Sequence, residues 1–536
     1  MAAPRECHVA VIGAGPAGLA MMKSLIEEGF QVSAFEKRDG PGGIWHFTVD
    51  PTITSVTSKT KAQLSRFLTP FTDFPHAPGA SRHPTAQELD EYYQQYTDAF
   101  GLGDKITYGV TVQSISRNES QSKWLVSLEG EDTARSFDKV VIANGSEHVC
   151  RWPEIENIEA FKGTYIHGQE YKQPEKYAGK IVIVIGQGNS AGDCAAELST
   201  HAKKVYMAHR RGALIIPRMA DGKRFDSVAS WKVTRLGHWL ERLVPAVHRW
   251  VFYQAFNAAH KSAWGQLDPA WRFDSDYSNA TNVAGIVLND NIVPALREGS
   301  IISVPYIERV TGGPRSVQFT DGRTLDDVDC IIACTGYKSC LEITGEAIPH
   351  SQPAPDVGHL PRLYQNIFPV VHADSLAVLS YNAFMDNAST CRELAGMAIA
   401  QIWAGKSTLP SRDEMESQIK EYQDWFVRRC RENQPISQLS GLVQADAWNR
   451  FVHEKAGTAV YEKLGWTWQG WRFALCNPRL YLQLAYGVGT PHTYRLFETG
   501  KRKAWSGALD AIQKANRESA RDIRDSVKEW KAAKAA

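Results

Sequence analysis

Short apolar runs rich in β-branched residues recur along the chain, each followed by a change of pattern. His8-Val-Ala-Val-Ile12 leads into Gly13-Ala-Gly15-Pro-Ala-Gly18, then into a stretch of helical character from Leu19 to Glu28. After Gly29 a second run, Phe30 to Phe35, ends at Glu36. The pattern predicts strand, glycine-rich turn, helix, strand, acid, with both strands buried in a parallel sheet. The same order returns downstream. Ile181-Val-Ile-Val-Ile185 precedes Gly186-Gln-Gly188-Asn189-Ser190-Ala191, then the helical stretch Gly192 to Leu198 and the strand Val205 to Ala208, which ends at His209. Gly18 to Glu36 and Ala191 to His209 have the same spacing, so two units share one plan.

That plan has a physical purpose. The first glycine of each turn permits a tight bend, the second lets backbone approach a pyrophosphate, and the third small residue lets helix pack closely on strand. The helix N-terminus adds free N–H groups and partial positive charge. Gly13, Gly15, Pro16, Ala17, Gly18 and Glu36, with Lys37 beside it and Gly43, Ile44 and Trp45 in the next turn, form a first candidate dinucleotide site. Gly186, Gly188, Asn189, Ser190, Ala191, Gly192 and Asp193, with Arg210 and Arg211, form a second. The rims differ. A carboxylate at Glu36 suits a free ribose 2′-hydroxyl, whereas the paired guanidinium groups of Arg210 and Arg211 suit a 2′-phosphate and hence NADPH. The fold class that follows is α/β with two Rossmann-like dinucleotide-binding domains. Val140 to Gly145 and Ile331 to Gly336 echo each other as apolar strands ending in a small-residue turn. Both are expected in the first sheet, which makes the second unit an insertion.

Composition narrows the rest. With 60 Lys+Arg against 59 Asp+Glu in 536 residues, the chain lacks the basic excess of a nucleic-acid binder. Nine scattered cysteines without zinc-like spacing make neither a disulfide scaffold nor a metal site. No apolar run suggests a transmembrane helix, Met1 to His8 lacks a secretory core, and a cytoplasmic location is expected. Ser519 to Ala536 reads as an exposed polar helix. Trp239 to Phe256 has apolar residues at helical spacing interrupted by Pro245, with Arg235, Arg242 and Arg249 at every seventh position. Helices packed on the core with a solvated basic edge are expected there; the alternative is peripheral attachment to a cytosolic membrane face. The aromatic run Trp466 to Phe473 is expected to pack in the core or to line a substrate channel.

Between the two units, Phe161-Lys-Gly163-Thr-Tyr-Ile-His167-Gly-Gln-Glu-Tyr171 resembles the fingerprint of the flavin-containing monooxygenases. Leu288-Asn-Asp290, Ala333-Cys-Thr-Gly-Tyr337, Asn477-Pro-Arg-Leu480 and Thr490-Pro-His492 resemble the same family, over nearly the whole chain. The resemblance implies FAD at the first site and NADPH at the second. The FAD domain would comprise residues 1–165 and 326–536, and the NADPH domain 166–325. It also implies a monooxygenase that forms a flavin C4a-hydroperoxide and passes one oxygen of O₂ to a soft nitrogen or sulfur of a small organic substrate. His167 belongs to the fingerprint, and read alone it is a satisfied interdomain histidine.

The family's active-site segment carries an asparagine beside flavin and nicotinamide. Here the segment is Ser55-Val56-Thr57-Ser58-Lys59, with Val56 at that position, Thr57 toward FAD and Ser55 toward NADP. Some loss of reducing power as H₂O₂ is therefore expected. Baeyer–Villiger monooxygenases, near relatives, end the fingerprint in Trp-Pro where this chain has Tyr171-Lys172. A Baeyer–Villiger or N-hydroxylating enzyme is the main alternative. A disulfide reductase and a non-catalytic nucleotide sensor are remote ones. A homo-oligomer is compatible with the sequence, which selects no stoichiometry.

Overall fold

The computed structural model describes residues 6–210, 212–273, 286–354, 357–384, 386–432 and 441–535. Strands β1 (His8–Ile12), β2 (Gln31–Glu36), β3 (Ile106–Tyr108) and β4 (Lys139–Ile142) begin one parallel sheet. Strands β5 (Thr164–His167), β6 (Ile181–Ile185), β7 (Lys204–His209), β8 (Ile301–Pro305) and β9 (Cys330–Ala333) make a second. β10 (Leu376–Val378) then completes the first by pairing with β4. The orders are β10-β4-β1-β2-β3 and β8-β7-β6-β9-β5. Matched strand for strand, β1 corresponds to β6, β2 to β7, β4 to β9 and β10 to β5.

This corrects one expectation. The strand at Ile331 does not return to the first sheet; Ile331 pairs with Ile183 on one side and Tyr165 on the other. The echo between Val140–Gly145 and Ile331–Gly336 is an equivalence between two sheets, not membership of one. The second sheet therefore runs from Thr164 to Ala333, and the boundaries expected at 165/166 and 325/326 fall, respectively, inside β5 and before β9.

Both turns are closed by the same bonds. Gly13 N–H donates to the Phe35 carbonyl at 2.8 Å, and Gly186 N–H to that of Ala208 at 2.9 Å. Ala143 N–H donates to Ile12 at 2.8 Å, and Cys334 N–H to Ile185 at 2.9 Å. Helix α1 (Pro16–Glu27) follows the first turn with Pro16 at its start, and α2 (Asn189–Leu198) follows the second. Apolar side chains cover each sheet on both faces, as continuous strands such as Ile181–Ile185 require.

The inserted segment forms α3 (Trp231–Leu243) and α4 (Pro245–Trp264), broken at Val244 with Pro245 opening the second helix. The expected solvated basic edge is present only in part: Arg242 is exposed, whereas Arg235 is turned inward. Arg235 donates to the Tyr461 hydroxyl at 2.5 Å, and Arg242 pairs with Asp446 at 2.9 Å. Leu236, Trp239, Leu243, Val247, Trp250 and Val251 are exposed as well, against the expected packing on the core. In the last third, α5 (Ala388–Trp403) packs against α1 and α6 (Ala445–Ala456) against α5. α7 (Trp468–Cys476), followed by α8 (Pro478–Tyr486), carries most of the aromatic run, and the expected core packing holds only for Phe473, which lies against the Leu464 and Leu484 cluster: Trp466 and Trp468 are 79% and 78% exposed. α9 (Ala508–Ala535) is the expected terminal helix, but not a wholly exposed one. Its Asp522 bonds Arg82 at 2.8 Å, and Ser526 is buried against Gly222.

Candidate functional site

At the first turn, Gly13 adopts φ +101°, and an added Cβ would lie 2.5 Å from the Ala143 carbonyl oxygen. A Cβ on Gly18 would sit 1.9 Å from the Gly13 oxygen, so only hydrogen fits between helix and strand. Glu36 is buried at the end of β2 and accepts the N–H of Ala14 at 2.7 Å and that of Arg38 at 3.0 Å. Each carboxylate oxygen keeps a lone pair for a ribose hydroxyl. Lys37 points outward. Gly42 N–H donates to Ala14 at 3.0 Å, which lays Gly43, Ile44 and Trp45 against the turn.

At the second turn, Gly186 adopts φ +125° with its Cβ position 2.5 Å from the Cys334 oxygen, the counterpart of Gly13. A Cβ on Gly188 would meet nothing within 4 Å, leaving room for a phosphate. Asn189 accepts the Leu288 N–H at 3.2 Å, Ser190 is exposed, and Ala191 and Gly192 are buried. His209, at the position of Glu36, is buried and bonded to Ser303 at 2.8 Å. Arg210 is exposed, with its guanidinium 5.4 Å from the Tyr306 ring centre, while Arg211 lies outside the described residues. Two cations that sequence reasoning missed join it. Arg272 donates to the Arg210 carbonyl at 2.8 Å, and Arg151, brought below its ordinary range by burial, also feels the Arg210 charge. Clustered guanidinium groups at this rim match a 2′-phosphate.

A segment from residue 53 to 60 lies between the two turns. Val56 N–H donates to the Ile44 carbonyl at 2.9 Å on the first side. Thr57 and Thr60 hydroxyls are 3.1 Å apart, and Thr60 donates to Asp193 of α2 at 3.2 Å on the second. Asn289 bonds the other Asp193 oxygen at 3.0 Å. Burial raises the Asp193 carboxyl above its ordinary value. Asp193 thus tethers the segment, and the Leu288–Asp290 motif is its anchor. Asp290 in turn holds Arg218 at 2.9 Å, and Arg218 donates to the carbonyls of Lys61 and Ala62, each at 3.2 Å. Ser58 is exposed.

The fingerprint explains the segment's other end. His167 Nδ1 accepts the Gln169 N–H at 3.2 Å, so its proton sits on Nε2, which donates to the Gly336 carbonyl at 3.1 Å. Burial holds the ring below its ordinary pKa and neutral. Gln169 Nε2 then bonds the Thr54 hydroxyl at 2.7 Å, and Lys172 reaches the Ile53 carbonyl at 2.7 Å and Ser55 Oγ at 2.9 Å. Arg38, buried at the end of β2, donates to the Thr54 carbonyl. The sequence assigns no role to Gln169, Lys172 or Arg38, although the first lies inside the fingerprint and the second marks the departure from Trp-Pro at its end.

Past this segment, Leu64 and Leu68 open a mostly apolar cavity of about 770 Å³ with Ile216, Phe225, Leu394 and Tyr494 among its walls. Cys194 and Cys334 are neighbouring free thiols without the environment of a redox-active pair. Burial and a bond to Cys334 push the Cys194 thiol up, the reverse of an activated thiolate.

Two glycine-turn cradles with unlike rims, joined by one polar segment beside an apolar cavity, define a flavoprotein oxidoreductase that uses two dinucleotides. The sequence profile described as flavin-binding monooxygenase-like matches residues 6–534. The chain is 35% identical over 517 residues to "Monooxygenase aurF" of Gibberella zeae, covering 94% of this chain and 96% of that one. It is 30% identical over 520 residues to flavin-containing monooxygenase 5 of Oryctolagus cuniculus, covering 94% and 91%. Among solved structures, an S-allyl-L-cysteine S-oxygenase from Allium sativum superposes with TM-score 0.60 at 19% identity, over 96% of this chain and 99% of that one. A complex of OTEMO with FAD and NADP gives 0.62 at 15% identity, over 86% and 99%. The chain belongs to the flavin-binding monooxygenase-like family and is an NADPH-dependent flavin monooxygenase with FAD and NADPH as cofactors.

Proposed function

We propose that the enzyme transfers one oxygen atom of O₂ to a soft sulfur or nitrogen of a small, largely apolar organic molecule. The net reaction for a sulfide consumes NADPH, a proton and O₂ and yields sulfoxide, NADP⁺ and water. FAD supplies the chemistry, taking two electrons from NADPH and activating O₂ at its C4a carbon. The protein's part is to hold and to shield. Gly13, Gly15, Pro16, Ala17, Gly18 and Glu36 hold FAD, and Gly186 to Asp193 with Arg210 hold NADPH. The observation that carries this reading is the tie of residues 53–60 to both turns, through Ile44 and through Asp193. That tie supports Ser55 to Thr57 lying where the two cofactors meet. The apolar cavity beyond Leu64 suits the organic substrate.

Anaerobic NADPH should bleach the flavin, and methyl phenyl sulfide should be converted to its sulfoxide. A ketone oxidised to an ester while the sulfide is untouched would replace this reading with the Baeyer–Villiger one. Flavin that stays yellow under NADPH would refute both. No helix among the described residues is long and apolar enough to cross a membrane. The exposed apolar side chains of α3, α4, α7 and α8 support peripheral contact with a lipid surface.

A further inference from the structure

Of the half-buried hydroxyls of residues 55–60, at the junction of the two turns, only one among the described residues has its proton unclaimed. Thr60 donates to Asp193, so Thr57, 3.1 Å from Thr60, donates to it and has spent its own proton. Ser58 is exposed. Val56 has no polar side-chain atom. Ser55 is half-buried, and its Oγ lies 2.9 Å from Lys172 Nζ. An ammonium only donates, so Ser55 Oγ accepts this bond and its own O–H remains available. Among the described residues no second partner for Ser55 Oγ is found. Lys172 is 6% exposed, enters from the second-sheet side of the molecule and is fixed by the Ile53 carbonyl at 2.7 Å.

We propose that Lys172 is a positioning residue that turns the Ser55 hydroxyl proton toward the flavin–nicotinamide face, supplying there the hydrogen-bond donor that Val56 lacks. This rests on the proposed function. Burial, aided by the Arg38 charge and opposed by Asp50, brings Lys172 down to about 8. Tyr337, bonded to Thr54, is pushed up by burial and stays neutral. Once Lys172 loses its proton it gains a lone pair, Ser55 donates to it, and the outward donor is lost. Reduced oxygen then leaves as H₂O₂, with O₂, NADPH and a proton giving H₂O₂ and NADP⁺.

The test measures H₂O₂ formed per NADPH from pH 6.5 to 9.5 with methyl phenyl sulfide, in wild type, Lys172→Met, Lys172→Arg and Ser55→Ala holoenzymes. Wild type should show a single rise centred near pH 8. Lys172→Met and Ser55→Ala should release about fivefold more H₂O₂ at pH 7 and lose the pH step, whereas Lys172→Arg should stay low and flat. As a readout independent of turnover, hydrogen exchange over residues 53–57 of the oxidised holoenzyme should quicken in Lys172→Met and stay unchanged in Lys172→Arg. Variants that keep the wild-type peroxide fraction and its pH step overturn the proposal. Because wild type is bleached by NADPH in that case, such a result is distinct from failure of the monooxygenase reading itself.

Discussion

The Glu36 carboxylate accepts the backbone N–H of Ala14 at 2.7 Å, tying the end of β2 to the middle of the first glycine turn. The residue expected to grip a ribose therefore also shapes the turn that faces the pyrophosphate. A hydrogen bond to a charged group contributes about 1.5–3 kcal/mol. Glu36→Gln should weaken FAD retention by about 10- to 100-fold, read from flavin lost on dilution and gel filtration. Full flavin occupancy in that variant would remove Glu36 from the site.

Arg210 stands exposed at the end of β7, with Arg272 bonded to its carbonyl. Removing one charge-assisted contact to a 2′-phosphate costs about 1.5–3 kcal/mol. Arg210→Ala should raise the KM for NADPH by about tenfold or more and leave that for NADH nearly unchanged. An equal effect on both nucleotides would show that the guanidinium does not read the phosphate.

Two glycines separate packing from binding. Gly18→Ala places a Cβ 1.9 Å from a backbone oxygen, and this variant should be colourless or insoluble. Gly188→Ala places one where nothing lies within 4 Å. It should fold with wild-type flavin content and melting temperature, yet bind NADP⁺ at least tenfold more weakly in calorimetry, since only the bound pyrophosphate would meet the methyl group.

A buried cluster behind α1 makes stability depend on pH. Glu393 accepts the N–H and the hydroxyl of Thr72 at 2.8 and 2.6 Å, close to Asp73, which pairs with Lys23 at 2.6 Å. Burial first, then the Asp73 charge, pushes Glu393 up to about 7. A carboxyl raised on folding contributes stability that is present below its unfolded pKa and lost as pH climbs through 7. The melting temperature should fall by about 2 °C between pH 6 and 8, and Glu393→Gln should flatten that slope. An unchanged slope would point to another group.

Trp466, Trp468 and Trp471 stand exposed on and before α7, and Lys232 Nζ lies 4.4 Å from the Trp466 ring centre. Indole and basic side chains together suit the headgroup level of an anionic bilayer. The protein should co-float with phosphatidylserine vesicles, and the triple serine variant should lose most of that binding without loss of flavin. Flotation unaffected by the triple variant would move the contact to α3 and α4.

Local sequence determined both strand–turn–helix units. A β-branched strand, glycines at fixed offsets and a charged residue at the next strand end are short-range requirements of backbone sterics and of the phosphate, so Gly13 to Glu36 and Gly186 to Arg210 were legible as they stand. Neither the sheet that received Ile331 nor the partners of Lys172 and Asp193 could be read that way. Equivalent strands such as Val140–Ile142 and Ile331–Ala333 present the same buried face to either sheet, and hydrogen bonds between residues more than a hundred positions apart leave no periodic trace. The exposed tryptophans of Trp466–Trp471 were misjudged for a related reason. Apolar character states that a side chain avoids water, and only the packing of α7 on its neighbours decides whether there was room to bury it.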